Sequence, residues 1–161
     1  MNTENLTQII IRKGGLGDLL ELQQLFVDTV SNVCQTDYDS KQIKAWTSST
    51  QNKTRWQDIL TNQFVLVAQD KEIITGFCTL DNRNYIDLLY VHKDYQRKGI
   101  AHKLYLDIEQ EAKRQLQTEL TSDVSKTARL FFEKVGFQVI NEQTVIVKDV
   151  ELTNYKMTKK L

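Results

Sequence analysis

Only two cysteines, Cys34 and Cys78, occur in the 161 residues, with no Cys-x-x-Cys pair, and the two histidines, His92 and His102, stand far from both in sequence. A small secreted domain held by disulfides would carry more, and a metal site would need clustered ligands. Both thiols therefore read as free and packed, and no metal is expected. Long hydrophobic runs are missing too: nowhere is there an apolar stretch able to span a bilayer, and Met1 to Gln8 lack the basic-then-apolar organisation of a secretory leader. The expected location is cytoplasmic. An excess of charge of either sign is absent, 21 Lys plus Arg balancing 21 Asp plus Glu, so no global field draws nucleic acid or an anionic membrane. Any positive patch must be local. There is no proline, to which no function attaches, and there are no repeats or low-complexity linkers.

What is present is ordinary for a soluble globular chain: 40% hydrophobic and 26% charged residues. The length suits one domain over residues 1–161, large enough to bury a core without staples.

Taken in order, Ile9-Ile10-Ile11 is a short strand, closed by a glycine-rich turn from Gly14 to Gly17. That turn has no Gly-Lys-Ser/Thr, and a GxGxxG register from Gly15 meets Leu20 where the third glycine belongs, so it reads as a flexible connection and not a nucleotide loop. Asp18 with Glu21 forms a capping-box variant, and Leu19, Leu22, Phe26, Val30 and Val33 recur at helical spacing, predicting a helix over residues 18–32. Further helices start at Ser40, carrying Ile43 and Trp46, and near Thr54, carrying Trp56, Ile59 and Leu60. Both tryptophans read as packing residues.

Phe64–Ala68, Ile73–Leu80, with Gly76 a possible bulge, and Tyr85–Val91 read as an antiparallel meander turning at 69–72 and 81–84. A helix follows from Gly99 to about Arg114 or Gln117. Glu119–Ser122 is then a strand parallel to Tyr85–Val91, because a helical crossover returns the chain in the same direction. A last helix runs from Ser125 to Lys134, ended by Gly136 as a left-handed residue, and 137–147 with 150–157 form a hairpin turning at Lys148-Asp149. The class is α/β, a mixed sheet flanked by helices.

The densest chemistry lies where strand passes to helix, between Tyr85 and Leu104. The first N–H groups of a helix have no intrahelical partner, and the macrodipole adds about half a positive charge there, so such a turn attracts a multiply charged anion. Gln96 to Ala101 would be that turn. Gly99 and Ala101 carry almost no side chain where a phosphate must approach backbone, and Arg97, Lys98 and Lys103 surround it with positive charge. The spacing suits a diphosphate cradle.

The run Leu88-Leu89-Tyr90-Val91, then four residues, then Gln96-Arg97-Lys98-Gly99-Ile100-Ala101, resembles the Gln/Arg-x-x-Gly-x-Gly/Ala acetyl-CoA motif of the GNAT N-acetyltransferase superfamily. Ser125-Lys126-Thr127-Ala128-Arg129-Leu130-Phe131-Phe132-Glu133-Lys134-Val135-Gly136-Phe137 is similar to that superfamily's second landmark, a short helix closed by Gly-Phe. The two stand in the family's order and at about its usual separation. The likeness extends more loosely from Ile9 to Met157 and is nearest to the YafP-like bacterial acetyltransferases.

That resemblance implies a GNAT fold, with a mostly antiparallel sheet and a splayed parallel pair of strands at an acetyl-CoA site. It implies that backbone N–H groups of Leu89, Tyr90 and Val91 polarise the thioester carbonyl, and that Gln96, Arg97, Lys98, Gly99, Ile100, Ala101 and His102 hold the cofactor from the helix start. Ser125 takes the position of a polar residue touching the pantetheine arm, and it also suits a helix N-cap. Ala128, Phe131 and Phe132 complete the cofactor set. Phe132 stands where the family frequently has a tyrosine that protonates the leaving thiolate, and Tyr85 or Tyr155 could substitute.

Strand alternation groups Tyr85, Asp87, Leu89 and Val91 on one face. An ionisable residue in an apolar strand is costly unless paired or wet, so Asp87 is either a general base or anchor for the amine in a cleft, or a structural aspartate bonded to a neighbouring backbone or arginine. Asp28, Asp37 and Asp39, towards the acceptor side, hint at a cationic substrate. The expected activity is direct acetyl transfer from acetyl-CoA to a primary amine of a small molecule or peptide, by a monomer or homodimer. Two alternatives are a catalytically silent acyl-CoA-binding or sensor domain, which the missing tyrosine keeps open, and a transferase of a longer acyl group.

Overall fold

The structure, a computed structural model, describes residues 8–161; Met1 to Thr7, most of the stretch examined above for a leader, lie outside the described residues. Seven strands form one sheet in the order β1-β2-β3-β4-β5-β7-β6. β1 (Ile9–Lys13), β2 (Phe64–Asp70), β3 (Ile73–Asp81) and β4 (Tyr85–Val91) pair antiparallel in succession. The chain crosses over through α4 (Ile100–Arg114) to β5 (Glu119–Ser125), which is parallel to β4. α5 (Arg129–Lys134) then leads to the hairpin of β6 (Gln138–Val147) and β7 (Val150–Lys160). β7 pairs antiparallel with both β5 and β6.

Helices cover both faces because each carries one apolar stripe that has to leave water. α1 (Leu19–Val33), α2 (Ser40–Thr47) and α3 (Lys53–Asn62) occupy one face. There Leu22, Phe26, Val30, Trp56 and Ile59 pack with Val65, Val67 and Phe77. On the other face Ile100, Leu104 and Ile108 of α4 and Phe132 of α5 pack with Cys78, Leu80 and Ile86. Each fully buried large side chain contributes about 1.5–3 kcal/mol. The reading of both cysteines as free and buried matches the structure.

Four local expectations are corrected. Asp18 precedes α1 but does not cap it; its carboxylate accepts from Gly15 N–H and from both terminal nitrogens of Arg12, which close the 3-10 turn before the helix. The glycine run is not a loose connection: Gly14 N–H donates to Val65 O, and a Cβ on Gly14 would stand 2.7 Å from Val67 and 2.8 Å from Val65. The last helix starts at Arg129 and not at Ser125, since β5 continues to Ser125 opposite Asn154. The bulge expected at Gly76 falls on Thr75, which is skipped between the pairs Ala68–Gly76 and Gln69–Ile74. Gly76 itself is paired, and a side chain there would meet Tyr90 O at 3.0 Å and Ile100 at 3.2 Å.

A second irregularity matters more for function. The ladder between β3 and β4 passes from Thr79–Leu88 to Leu80–Ile86 and leaves Asp87 as the extra residue. The expected grouping of Tyr85, Asp87, Leu89 and Val91 on one face is therefore corrected. Leu89 and Val91 pack with the α4 side, whereas Asp87 bonds to residues from the α3 side and Leu88 and Tyr90 pack there too.

Candidate active site

β4 and β5 are bonded only where they begin to run together. Their register holds at Tyr85–Thr121 and Ile86–Ser122, with Ser122 Oγ donating to Ile86 O at 2.7 Å in the crotch. Beyond it the strands part: β4 stays with β3 through the pairs up to Val91–Gly76, and β5 stays with β7 through Ser125–Asn154. A cleft of about 280 Å³ opens in the gap, lined by residues of β4, β5, both strands of the terminal hairpin, α2, α3 and α5.

Asp87 lines this cleft with its side chain only 10% exposed. Arg55 Nη2 of α3 donates to Oδ1 at 2.9 Å, and Gln63 Nε2, just past α3, donates to Oδ2 at 2.7 Å. The bulge aims the carboxylate at these donors, and a second lone pair remains on each oxygen for another donor. Tyr85 also lines the cleft, and its hydroxyl donates to Asp123 Oδ2 at 3.1 Å. Burial, with Asp123 and Asp87 nearby, raises its hydroxyl well above the usual tyrosine range, so it is a proton holder at neutral pH.

Tyr38, Trp46 and Tyr90 form an aromatic wall, with ring centroids 5.2 Å apart for Tyr38–Trp46 and 6.5 Å for Trp46–Tyr90. Trp46 was read as packing alone; it packs and also faces the cleft. Tyr38 ties the wall to the hairpin, its hydroxyl donating to Thr153 O at 2.7 Å and accepting from Lys126 N–H at 3.0 Å. Gln42 Nε2 to Glu151 O and Lys148 Nζ to Gln51 Oε1 add two further bonds between the helical side and the hairpin. Asp28, Asp37 and Asp39 do not line the cleft; Asp28 and Asp39 accept from Gln24 and Gln42 in local bonds, and Asp37 accepts from Thr127, 90 residues on.

The turn after β4 leaves an open, left-handed corner at Gly99. Arg97 and Gly99 both have positive φ, 59° and 79°, and a Cβ on Gly99 would point into open space. Lys103 N–H to Gly99 O, 3.1 Å, is the bond that begins the helical ladder, so the N–H groups of Ile100, Ala101 and His102 precede it. Gln96 turns its side chain inward instead, donating to Val91 O at 2.6 Å and fixing the loop to the end of β4. Lys98 Nζ lies 5.0 Å over the Tyr95 ring.

On the second landmark, Ser125 Oγ accepts from Ala128 N–H at 3.1 Å, a turn cap one step before α5. Ser125, Ala128 and Phe132 all line the cleft, and Phe132 is 3% exposed against Phe131 and Phe137. Phe131 packs against Tyr105 of α4 and is not among the cleft residues. Tyr155 sits on the α4–α5 face, its ring under the Arg129 guanidinium at 4.5 Å, outside the cleft. The sequence reading missed Arg55, Tyr38, Asp123 and Asn154. Their only local signal was polarity beside apolar positions, and each gains meaning from a partner far along the chain.

Comparison with known proteins agrees with this architecture. The acetyltransferase (GNAT) domain family matches residues 34–159, and the chain belongs to the GNAT family of N-acetyltransferases. It is 32% identical over 155 residues to the N-acetyltransferase YafP of Escherichia coli (strain K12), covering 96% of this chain and 98% of that one. A GCN5-related N-acetyltransferase from Rhodopseudomonas palustris superimposes with a TM-score of 0.92 at 28% identity, over 99% of this chain and 100% of that one. The PaiA N-acetyltransferase of Thermoplasma acidophilum, solved in complex with coenzyme A, shares the fold with a TM-score of 0.77 at 21% identity, over 96% and 99% of the two chains. Among the described residues no helix is long and apolar enough to cross a membrane, and no group of three or more metal-ligating side chains is found.

Proposed function

We propose that this protein transfers an acetyl group from acetyl-CoA directly to a primary amine bound on the α1–α3 side of the splayed strands. The observation that carries this reading is the meeting of three features: the β4–β5 gap, the open Gly99 turn and the unladdered N–H groups of α4 at the end of β4. Acetyl-CoA supplies an activated acyl carbon and a thiolate leaving group. The fit of its diphosphate is supported by the positive φ and empty side-chain space at Gly99, with backbone donors from Gln96 to His102 and charge from Arg97 and Lys98. Ser125, Ala128 and Phe132, which line the cleft, would flank the pantetheine arm, and the binding of coenzyme A by the fold relative PaiA supports this cofactor class.

In this reading the β4 backbone at Leu89 to Val91 holds and polarises the carbonyl. Asp87, fixed by Arg55 and Gln63, accepts a hydrogen bond from the incoming amine and takes or relays its proton as the C–N bond forms and the C–S bond breaks. Tyr85 is a hydroxyl of the cleft that would return a proton to the leaving thiolate. A thiol of the cysteine kind has a pKa of about 8.5, so its thiolate leaves readily near neutral pH and a dedicated acid matters less than for an alkoxide. Phe132 then acts by packing.

Two measurements test the proposal. Acetyl-CoA should bind in calorimetry and raise the melting temperature by mass action, and thiol release should appear with at least one primary amine. Binding without thiol release across alkyl, arylalkyl, polyamine, amino acid and lysine-peptide acceptors would make the protein an acyl-CoA sensor. A higher rate with a longer acyl-CoA would reassign the donor.

A further inference from the structure

We infer that the acceptor is a small primary amine with one positive charge and an apolar or arylalkyl body, held by Asp123 at its ammonium and by the aromatic wall along its body. This rests on the transferase reading and adds the class of the substrate.

Size comes first. Three bonds between the helical side and the terminal hairpin, Tyr38 to Thr153, Gln42 to Glu151 and Lys148 to Gln51, span 97 to 115 residues of sequence and join α2 and its flanks to β6–β7. The hairpin apolar residues Val147 and Leu152 pack into the α1–α3 core and also line the cleft. The acceptor side is thus roofed. A polypeptide needs an open trough along the sheet, whereas the cleft of about 280 Å³ would also take the end of the pantetheine arm beside Ser125, Ala128 and Phe132, which leaves room only for a small acceptor.

Charge comes next. The ionised groups lining the cleft are one guanidinium, Arg55, and two carboxylates, Asp87 and Asp123. Arg55 is bonded to Asp87, so the charge of that carboxylate is met within the protein. Asp123 accepts from neutral donors, the Tyr85 hydroxyl and Gln143 Nε2 at 3.0 Å, and although Lys156 stands opposite it in the β5–β7 register the two form no hydrogen bond, so the carboxylate is left to pair with a bound cation. One net negative charge suits one ammonium and opposes a substrate carboxylate.

The third observation is Asn154, which lines the cleft and whose buried Oδ1 has no hydrogen-bond donor. It pairs in register with Ser125 on β5, on the same face of the sheet as Asp123. A buried acceptor left alone is destabilising, and the N–H of a bound amine satisfies it. Trp46, Tyr90 and Leu88 add ring and aliphatic carbon to the lining, and the hydroxyls of Tyr38, Ser122 and Ser125 that also line it are bonded within the protein, which suits a body without further polar groups.

The experiment pairs binding with transfer. Phenethylamine, spermidine, phenylalanine and a lysine-containing peptide are titrated by calorimetry into the CoA-loaded protein and assayed for thiol release from acetyl-CoA. The expected result is phenethylamine binding at least tenfold tighter than the other three. Asp123→Asn and Trp46→Ala should each raise its Kd or KM about tenfold while leaving acetyl-CoA affinity unchanged, and Asn154→Leu should do the same if Trp46→Ala fails to fold. Tightest binding of the peptide, spermidine or phenylalanine overturns the inference, as does unchanged phenethylamine affinity in the folded Asp123→Asn and Asn154→Leu variants. The two readings separate cleanly: phenethylamine binding without thiol release supports this site and sinks the transferase, and acetylation of the peptide alone does the reverse.

Discussion

Arg55 of α3 and Asp87 of β4, 32 residues apart, stand 2.9 Å from one another through Nη2 and Oδ1, so the carboxylate at the bulge is oriented by a helix that contributes no other residue to the cleft lining. Asp87→Asn should lower turnover about a hundredfold with acetyl-CoA affinity nearly kept, as expected for a group that handles a proton. Arg55→Gln should cost less, about tenfold in kcat, with Arg55→Lys recovering part of it. Steady-state kinetics with calorimetry checks both; near-normal turnover in a folded Asn variant would make Asp87 structural.

The left-handed turn at Gly99 gives a prediction for the cofactor. Gly99→Glu combines a strained φ of 79° with bulk and negative charge where the diphosphate is proposed. Acetyl-CoA binding should be abolished while circular dichroism shows the fold retained. Unchanged affinity in the folded variant would remove the cradle from this turn.

Phe132 stands against Phe131 and Phe137 and faces the cleft. Phe132→Leu should mainly weaken acetyl-CoA binding, and Phe132→Tyr should leave turnover equal or higher. If the Leu variant loses turnover while binding acetyl-CoA normally, the ring takes part in the chemical step.

Far from the cleft, Glu109 of α4 accepts from Lys159 of β7 at 2.9 Å, pairs with Lys113 at 2.7 Å and accepts the Tyr105 hydroxyl. Burial opposes its charge, yet the hydrogen bonds from Lys113, Tyr105 and Lys159 outweigh it and hold the carboxyl down to about 2. A depressed carboxyl contributes stability that is complete above its unfolded pKa, about 4.3, and lost as pH falls through the folded value. Glu109→Gln should therefore lower Tm at pH 7 by about 4–8 °C, for a loss of about 2 kcal/mol. It should also flatten the fall of Tm between about pH 4.5 and 2. A variant with the wild-type acid profile would remove Glu109 as its source.

Much of this molecule was legible from residues alone. Apolar period placed α1 through α4 to within a residue or two, and Lys148-Asp149, both at positive φ, closed the hairpin where expected. The strand-to-helix turn at Gln96 to Ala101 and the helix end closed by Gly136 were legible as backbone features because short spacings along one turn and one helix set them. These are local properties, set by backbone geometry over a few residues.

The acceptor side was decided by tertiary structure. Alternation misassigned the face of Asp87 because a bulge is a mismatch between two strands, and one strand alone carries no record of how many residues its neighbour sets against it. Tyr38 gained its role from Thr153, 115 residues away, and Asp123 from Tyr85. The turns are set locally. The cleft is assembled by sheet register and by helices and a hairpin packed across the splayed strands, where burial and pairing between distant segments decide which charges are met.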